Sequence, residues 1–307
     1  MPDIVITEFM NDEAVEALAA EFDTWYDPTL VDHPEKLAAD LPGARALIVR
    51  NRTKVTAELL ERSPDLMCVG RLGVGLDNID MAACKARGVS VYPATGANNA
   101  SVAEYVITAA LMLLRGAWLS SDRVANGEWP RQELMGREIG GKVLGLVGYG
   151  GIARETAERA RALGMTVIAY DPFLPEGDAA WAGATRAGLD EVFAGADVLS
   201  LHVPLTDDTR HMVNADRLKT MKPGSILVNA ARGGVVDEQA LAAALRAGLI
   251  AGAALDVFEI EPLTAEAGAK FQGLNVLLTP HIAGVTDESN VRVSSMIAQV
   301  VADHLRV

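Results

Sequence analysis

Val143-Leu144-Gly145-Leu146-Val147 is a short apolar run that passes directly into Gly148-Tyr149-Gly150-Gly151-Ile152-Ala153. The run reads as a buried strand and Ile152 to Leu163 as the helix after it. A strand joined to a helix by G-x-G-x-x-A constrains this chain more than any other feature it carries. Gly148 permits the tight turn, and Gly150 leaves room for a pyrophosphate against the backbone. Ala153, small like the usual third glycine, allows close helix–strand packing. The helix start, at Gly151 and Ile152, offers N–H groups and the positive end of a dipole to the phosphates. The next strand candidate, Val167 to Tyr170, ends in Asp171, about 20 residues beyond the turn, where a carboxylate can bond both ribose hydroxyls. The competing reading of Asp171 is a solvated loop acid. Pro172 and Phe173 follow it, with no Arg to hold a 2′-phosphate, so this site favours NAD over NADP.

The alternation of apolar runs and helical patterns extends over the whole chain. Before the glycine turn the runs are Ile4–Ile6, Ala46–Val49, Leu66–Val69 and Val89–Tyr92, separated by helical patterns at Asp12–Ala20, Thr56–Arg62 and Asp80–Arg87. A longer helical pattern covers Ser101–Trp118, with Ser101 as N-cap and Glu104 completing a capping box. The polar stretch Ser120–Lys142 reads as a connector or arm. After the turn the strand candidates are Val198–Val203, Ile226–Asn229, Ala253–Val257 and Val276–Leu278, with a helix at Glu238–Ala247 and a last one after Thr286. Such alternation predicts an α/β chain with parallel sheets covered by helices on both faces. At 307 residues it calls for two such doubly wound domains.

Composition narrows the function classes. Half of the residues are hydrophobic, which argues against disorder. A net charge of −14 argues against nucleic acid as the main partner and leaves room for a locally positive pocket. Cys68 and Cys84 form neither a disulfide framework nor a metal pattern and read as small buried thiols. No signal peptide or long uncharged apolar stretch is present, so a cytoplasmic protein away from membranes is expected.

Five segments in order resemble the signatures of the D-isomer-specific 2-hydroxyacid dehydrogenase family. They are Gly70–Asp80, Ala97–Glu104, Asn229–Glu238, Leu255–Pro262 and Leu278–Gly284, and the resemblance covers nearly the whole chain. The wording of the first two is closest to the phosphoglycerate dehydrogenase branch, although the regulatory domain of many members is absent. The resemblance implies a Rossmann NAD-binding domain (residues 99–283) inserted into a discontinuous flavodoxin-like substrate domain (residues 1–98 and 284–307). A homodimer contacting through Ser101 to Gly140 is also implied, as is a cleft between domains that closes on binding.

The catalytic residues of that family fall here on Arg232, Glu261 and His281. Arg232 can grip the carboxylate of a 2-hydroxy acid and polarise the oxygen on C2. His281 can take the hydroxyl proton during oxidation and return it during reduction. Glu261 can bond the other ring nitrogen and stabilise the imidazolium. Taken singly, Arg232 also fits a structural ion pair, Glu261 a surface acid and His281 a loop histidine. The resemblance further implies cofactor contacts at Pro204, Thr209, Ala230, Asp256 and Gly284, with Asp256 facing the nicotinamide carboxamide. His202 reads as a minor contact. The substrate carboxylate should meet backbone N–H groups at Leu72, Gly73, Val74 and Gly75.

The substrate signal lies in Val49-Arg50-Asn51-Arg52-Thr53. Strand alternation would put Arg50 and Arg52 on one side and Asn51 on the other. Asn51 and Arg52, with Arg71, can hold a second anionic group, which would make the substrate a dianion such as phosphoglycerate or sulfolactate. Ordinary surface charge is the competing reading. Two other functions stay open here: an NAD-responsive corepressor-like binding protein on the same fold, and a phosphite- or glyoxylate-type relative.

Overall fold

A computed structural model describes residues 1–116, 118 and 120–307, the side chain of Asp40 aside. Among these residues two all-parallel sheets form, as the alternation predicts. The chain divides into two compact units, residues 1–98 with 285–307, and residues 99–284. Gly284 therefore falls in the second unit.

The strands of the first unit are β1 (Ile4–Ile6), β2 (Thr24–Tyr26), β3 (Ala46–Val49), β4 (Cys68–Arg71) and β5 (Ser90–Pro93), in the order β2-β1-β3-β4-β5. The C-terminal helix Asp287–Leu305 returns to this sheet. Its Val293, Ile297 and Val301 join Ile4, Ile6, Ala46, Ile48 and Cys68 in one buried layer. The opposite face packs Val5, Leu47, Val49 and Val69 against Leu30, Leu60 and Cys84. Strands buried on both faces carry continuous apolar runs rather than alternation, and this is why the first and third were legible in sequence.

The second unit holds β6 (Val143–Val147), β7 (Thr166–Tyr170), β8 (Thr185–Arg186), β9 (Val198–Leu201), β10 (Ile226–Asn229), β11 (Gly252–Leu255) and β12 (Val276–Leu278), in the order β12-β11-β10-β9-β6-β7-β8. In each sheet the strand order reverses once, between β1 and β3 in the first and between β6 and β9 in the second. Carboxyl ends at such a reversal diverge and leave a crevice where ligands bind.

Several sequence expectations need correction. The edge strands β2 and β8 were missed: Thr24–Tyr26 is only half-buried and Thr185–Arg186 is exposed, so neither shows an apolar run. The long helix starts at Asn99, not after Ser101, which is buried inside it; it ends at Arg115, and Ala117 lies outside the described residues. The stretch taken as a connector contains a short helix, Ser121–Ala125. β4 begins two residues later than the apolar run suggests, which carries Arg71 onto the strand end.

Candidate active site

The glycine turn sits at the carboxyl end of β6, beside the reversal point. Gly148 has φ +88°, and a Cβ there would lie 2.5 Å from the His202 carbonyl oxygen at the end of β9. Only glycine satisfies both conditions. Gly150 caps the Gly151–Ala162 helix, and a Cβ on it would meet nothing within 4 Å. That open space borders the helix start, so a diphosphate can approach there without displacing protein atoms. Ala153, Ala157 and Ala160 are buried in the layer shared with Val106, Ala109 and Ala110 of the Asn99–Arg115 helix, which explains the small residue at the third glycine position. Asp171 accepts the Tyr149 N–H on one oxygen (2.8 Å) and those of Phe173 (2.9 Å) and Leu174 (3.2 Å) on the other. These bonds tie the ribose acid to the glycine turn. The cavity beside it is also lined by Arg186 of the missed strand β8. An arginine therefore does stand near this carboxylate, although none follows it in sequence.

His202 and the 204–209 turn complete this edge. The His202 imidazole bonds Ser200 Oγ (3.0 Å), and burial pushes its pKa down to about 4. It is a neutral packing group under the turn. Thr209 Oγ1 donates to the Pro204 carbonyl (2.6 Å), so it shapes the turn that carries Pro204.

Three loops at the carboxyl ends of β10, β11 and β12 bring the acid–base residues together. Asn229, buried at the end of β10, receives the Ala231 N–H (3.1 Å) and donates to the Arg232 carbonyl (3.0 Å). This bracket aims the loop holding Ala230 and Arg232. Gly233 then packs so tightly on the next loop that any Cβ would collide with the Phe258 carbonyl. Its φ is not positive, so glycine is needed for space alone. Glu261 ends this second loop, and its Oε2 lies 2.8 Å from His281 Nδ1. A carboxylate only accepts, so Nδ1 carries the proton and Nε2 is left to exchange one with a ligand. Burial raises the Glu261 carboxyl. The hydrogen bonds from His281 and the Phe258 N–H, with the charges of His281 and Arg232, outweigh that effect and hold it below its usual value.

The sequence expectation set Asp256 against the nicotinamide carboxamide. The structure gives its carboxylate other duties. It is 1% exposed and accepts Thr279 Oγ1 (2.6 Å), the Ile282 N–H (2.8 Å) and the Ala283 N–H (2.8 Å). Tyr105 donates in turn to Thr279 Oγ1 (2.6 Å), and burial pushes its phenol up to about 12. Asp256 thus fixes the loop on which His281 adopts φ +57°. The signal that could have shown this is Thr279, a polar residue two before His281. Among the described residues no group of three His, Cys, Asp or Glu side chains is gathered as for a metal ion.

The substrate residues lie in the first unit, and two expectations fail there. β3 stops at Val49, so strand alternation does not govern residues 50–53. They form a bend whose N–H groups converge on Glu8. Arg50 turns back to Asn290 Oδ1 (2.8 Å) and the Phe9 ring, and burial lowers its pKa. Arg52 pairs with Asp32, both more than half exposed, while Asn51 is exposed. Arg71 folds over Gly73 and donates to the Leu72 carbonyl (2.7 Å). The Leu72 and Gly73 N–H groups are spent on Val49 and Arg71 carbonyls. Among the described residues Val74 and Gly75 donate to none, so these two amides remain for an anion.

Hydride exchange with a nicotinamide, beside a group that gives and takes a proton, is the chemistry such a sheet edge supports. It places the chain among the nicotinamide-dependent oxidoreductases. A family profile for the D-isomer specific 2-hydroxyacid dehydrogenase, NAD binding domain, matches residues 107–283. The chain belongs to this family and is an NAD-dependent 2-hydroxyacid dehydrogenase. It is 57% identical to an (S)-sulfolactate dehydrogenase of Chromohalobacter salexigens, over 96% of this chain and 95% of that one. It is 41% identical to a D-3-phosphoglycerate dehydrogenase of Archaeoglobus fulgidus over 86% of this chain, but spans only 50% of that relative. Among solved structures, a D-lactate dehydrogenase from Aquifex aeolicus complexed with NAD and lactic acid superposes with a TM-score of 0.83. The two share 31% identity, over 99% of this chain and 95% of that one.

Proposed function

We propose that the substrate is a dianionic 2-hydroxy acid of the sulfolactate type, interconverted with its 2-oxo acid. The observation that carries this is the 57% identity to the (S)-sulfolactate dehydrogenase across nearly the full length of both chains. The 50–53 bend supports it chemically, because Arg52 is a cation held in an exposed ion pair that a stronger anion can replace.

The roles follow from the geometry. Bound NAD supplies the hydride acceptor at its nicotinamide. Gly148, Gly150, Gly151 and Ile152 would hold its pyrophosphate, Asp171 its ribose, and Pro204, Thr209, Ala230 and Gly284 would line it. Arg232 grips the substrate carboxylate and draws electron density from the C2 oxygen. His281 Nε2 takes the hydroxyl proton, and Glu261 balances the resulting imidazolium. Val74 and Gly75 amides meet the carboxylate, while Asn51, Arg52 and Arg71 serve the second anion. Residues 99–283 act as the cofactor domain and the remainder as the substrate domain.

Rates across lactate, glycerate, 3-phosphoglycerate and sulfolactate test the substrate class. A kcat/KM at least tenfold higher for sulfolactate than for lactate is expected; equal values refute it. The reading includes a homodimer joined through residues 101–140, where Val124, Trp129 and Met135 are exposed. Light scattering at monomer mass would refute that part. It also includes residence in the cytoplasm, which suits two free, buried thiols. Among the described residues no helix is long and apolar enough to cross a membrane.

A further inference from the structure

Glu8 follows β1 and is buried, yet it belongs to neither the acid–base machinery nor the cofactor site. Its carboxylate accepts four consecutive backbone N–H groups: Arg50 (2.8 Å) and Thr53 (3.0 Å) on Oε1, Arg52 (3.1 Å) and Asn51 (3.3 Å) on Oε2. Four successive amides aimed at one point make an anion-binding concavity in the backbone. Here the anion is supplied by the chain itself. The bend is pinned from two other sides, by Thr7 Oγ1 against Thr53 Oγ1 (2.8 Å) and by Asn78 Nδ2 donating to the Thr53 carbonyl (2.7 Å). Glu8 follows β1 and the bend follows β3, so they meet at the reversal point of the first sheet.

Burying a carboxylate is costly unless its hydrogen bonds are made. An apolar residue after β1 would avoid that cost, but the four amides would then face one another without an acceptor and the bend would open. With Glu8 in place the backbone of residues 50–53 is fixed and only the outer side chains remain to act. Arg50 is committed to Asn290 and the Phe9 ring. Arg52, loosely paired with Asp32, is the cation the bend presents.

We propose that Glu8 is a positioning residue for substrate selection, holding the bend so that Arg52 meets the second anionic group of the substrate. This rests on the dianion reading above. The test uses Glu8→Gln in the full chain, which preserves shape but replaces one acceptor with an N–H₂ facing the amides. KM for sulfolactate should rise about tenfold, with kcat and the NADH Kd unchanged within twofold. The apparent affinity for lactate, read as KM or competitive Ki, should stay within twofold. Glu8→Asp, which keeps the charge, should recover part of the loss. Arg52→Ala should raise the sulfolactate KM at least as much, and the double variant should be no worse than Arg52→Ala alone, because one acts through the other. If Arg52→Ala raises the sulfolactate KM and Glu8→Gln does not, the positioning role is overturned while the dianion reading stands. If Arg52→Ala leaves that KM unchanged, the dianion reading itself fails and takes the proposal with it. Should Glu8→Gln not fold, Asn78→Ser loosens the bend from the other side while keeping the Glu8 charge. The same selective rise in KM is then expected, and its absence overturns the proposal.

Discussion

Gly233→Ala should disable catalysis while sparing cofactor binding. Gly233 has an ordinary φ, so alanine meets no backbone penalty there. Its Cβ, however, would land on the Phe258 carbonyl and 3.1 Å from the Glu259 amide nitrogen. A carbon needs about 3.5 Å from such atoms, so the Arg232 and Glu261 loops must part by roughly 1.5 Å. Strain of this kind costs about 1–3 kcal/mol of stability. The catalytic effect is larger, since a misplacement of about 1 Å can cost ~100-fold in rate, equivalent to about 2.7 kcal/mol of barrier. The assay is NADH oxidation with 2-oxo acids, alongside NADH Kd from fluorescence and Tm from calorimetry. kcat/KM should fall at least ~100-fold, with Kd within threefold, because the glycine turn at 148–151 is carried by β6 and not by these loops. A folded variant with kcat/KM within threefold of the parent would refute the claim that this contact sets the Arg232–Glu261 geometry.

Glu261→Gln removes the charge facing His281, so the ionisation in the pH–rate profile of 2-oxo acid reduction should move to lower pH by about one unit or more; an unmoved profile would exclude this coupling. Gly150→Ala meets open space, so Tm should stay within about 2 °C while NAD binding weakens ~10-fold or more, and unchanged binding would remove the diphosphate from that position. His202 titrates near 6.5 when unfolded and about 4 when folded, so the unfolded state binds the proton first as pH falls. Stability should therefore decline between these values, by up to about 3 kcal/mol at pH 4, and denaturation of His202→Gln should lack that part of the decline. The buried pair Glu238–Lys270 (2.6 Å) also receives the Glu259 N–H, so Glu238→Ala should cost ~3 kcal/mol, and a loss under 1 kcal/mol in urea denaturation would contradict its structural role.

Residues that act through local order were legible in the chain itself. A strand, a glycine turn, a helix and an acid after the next strand require only neighbours in sequence, and the turn at 148–153 has the expected form. Buried parallel strands announced themselves as apolar runs, whereas the exposed edge strand Thr185–Arg186 did not, and Arg186 was overlooked with it. Residues whose duty depends on a distant partner were misread. Asp256 looked like a ligand contact because it stands beside the Glu261 motif, but its partners are Thr279, Ile282 and Ala283, on the loop after another strand. The 50–53 segment looked like a continuing strand because β3 before it is one.

The sequence by itself determined the two parallel α/β sheets, the dinucleotide turn with its ribose acid, and the family with its Arg, Glu and His. These follow from side-chain period, backbone permissiveness at glycine and motifs contiguous in the chain. Only the tertiary structure decided which polar groups are already spent. It committed Asp256 to the His281 loop, Glu8 to four amides and Arg50 to Asn290, and left Val74 and Gly75 with amides to give. Hydrogen-bond partners in a parallel sheet come from the ends of different strands, and each such crossing joins residues far apart in the chain. A buried carboxylate must find its donors wherever the fold places them, and that placement, not the residue type, sets whether it binds a ligand or holds a loop.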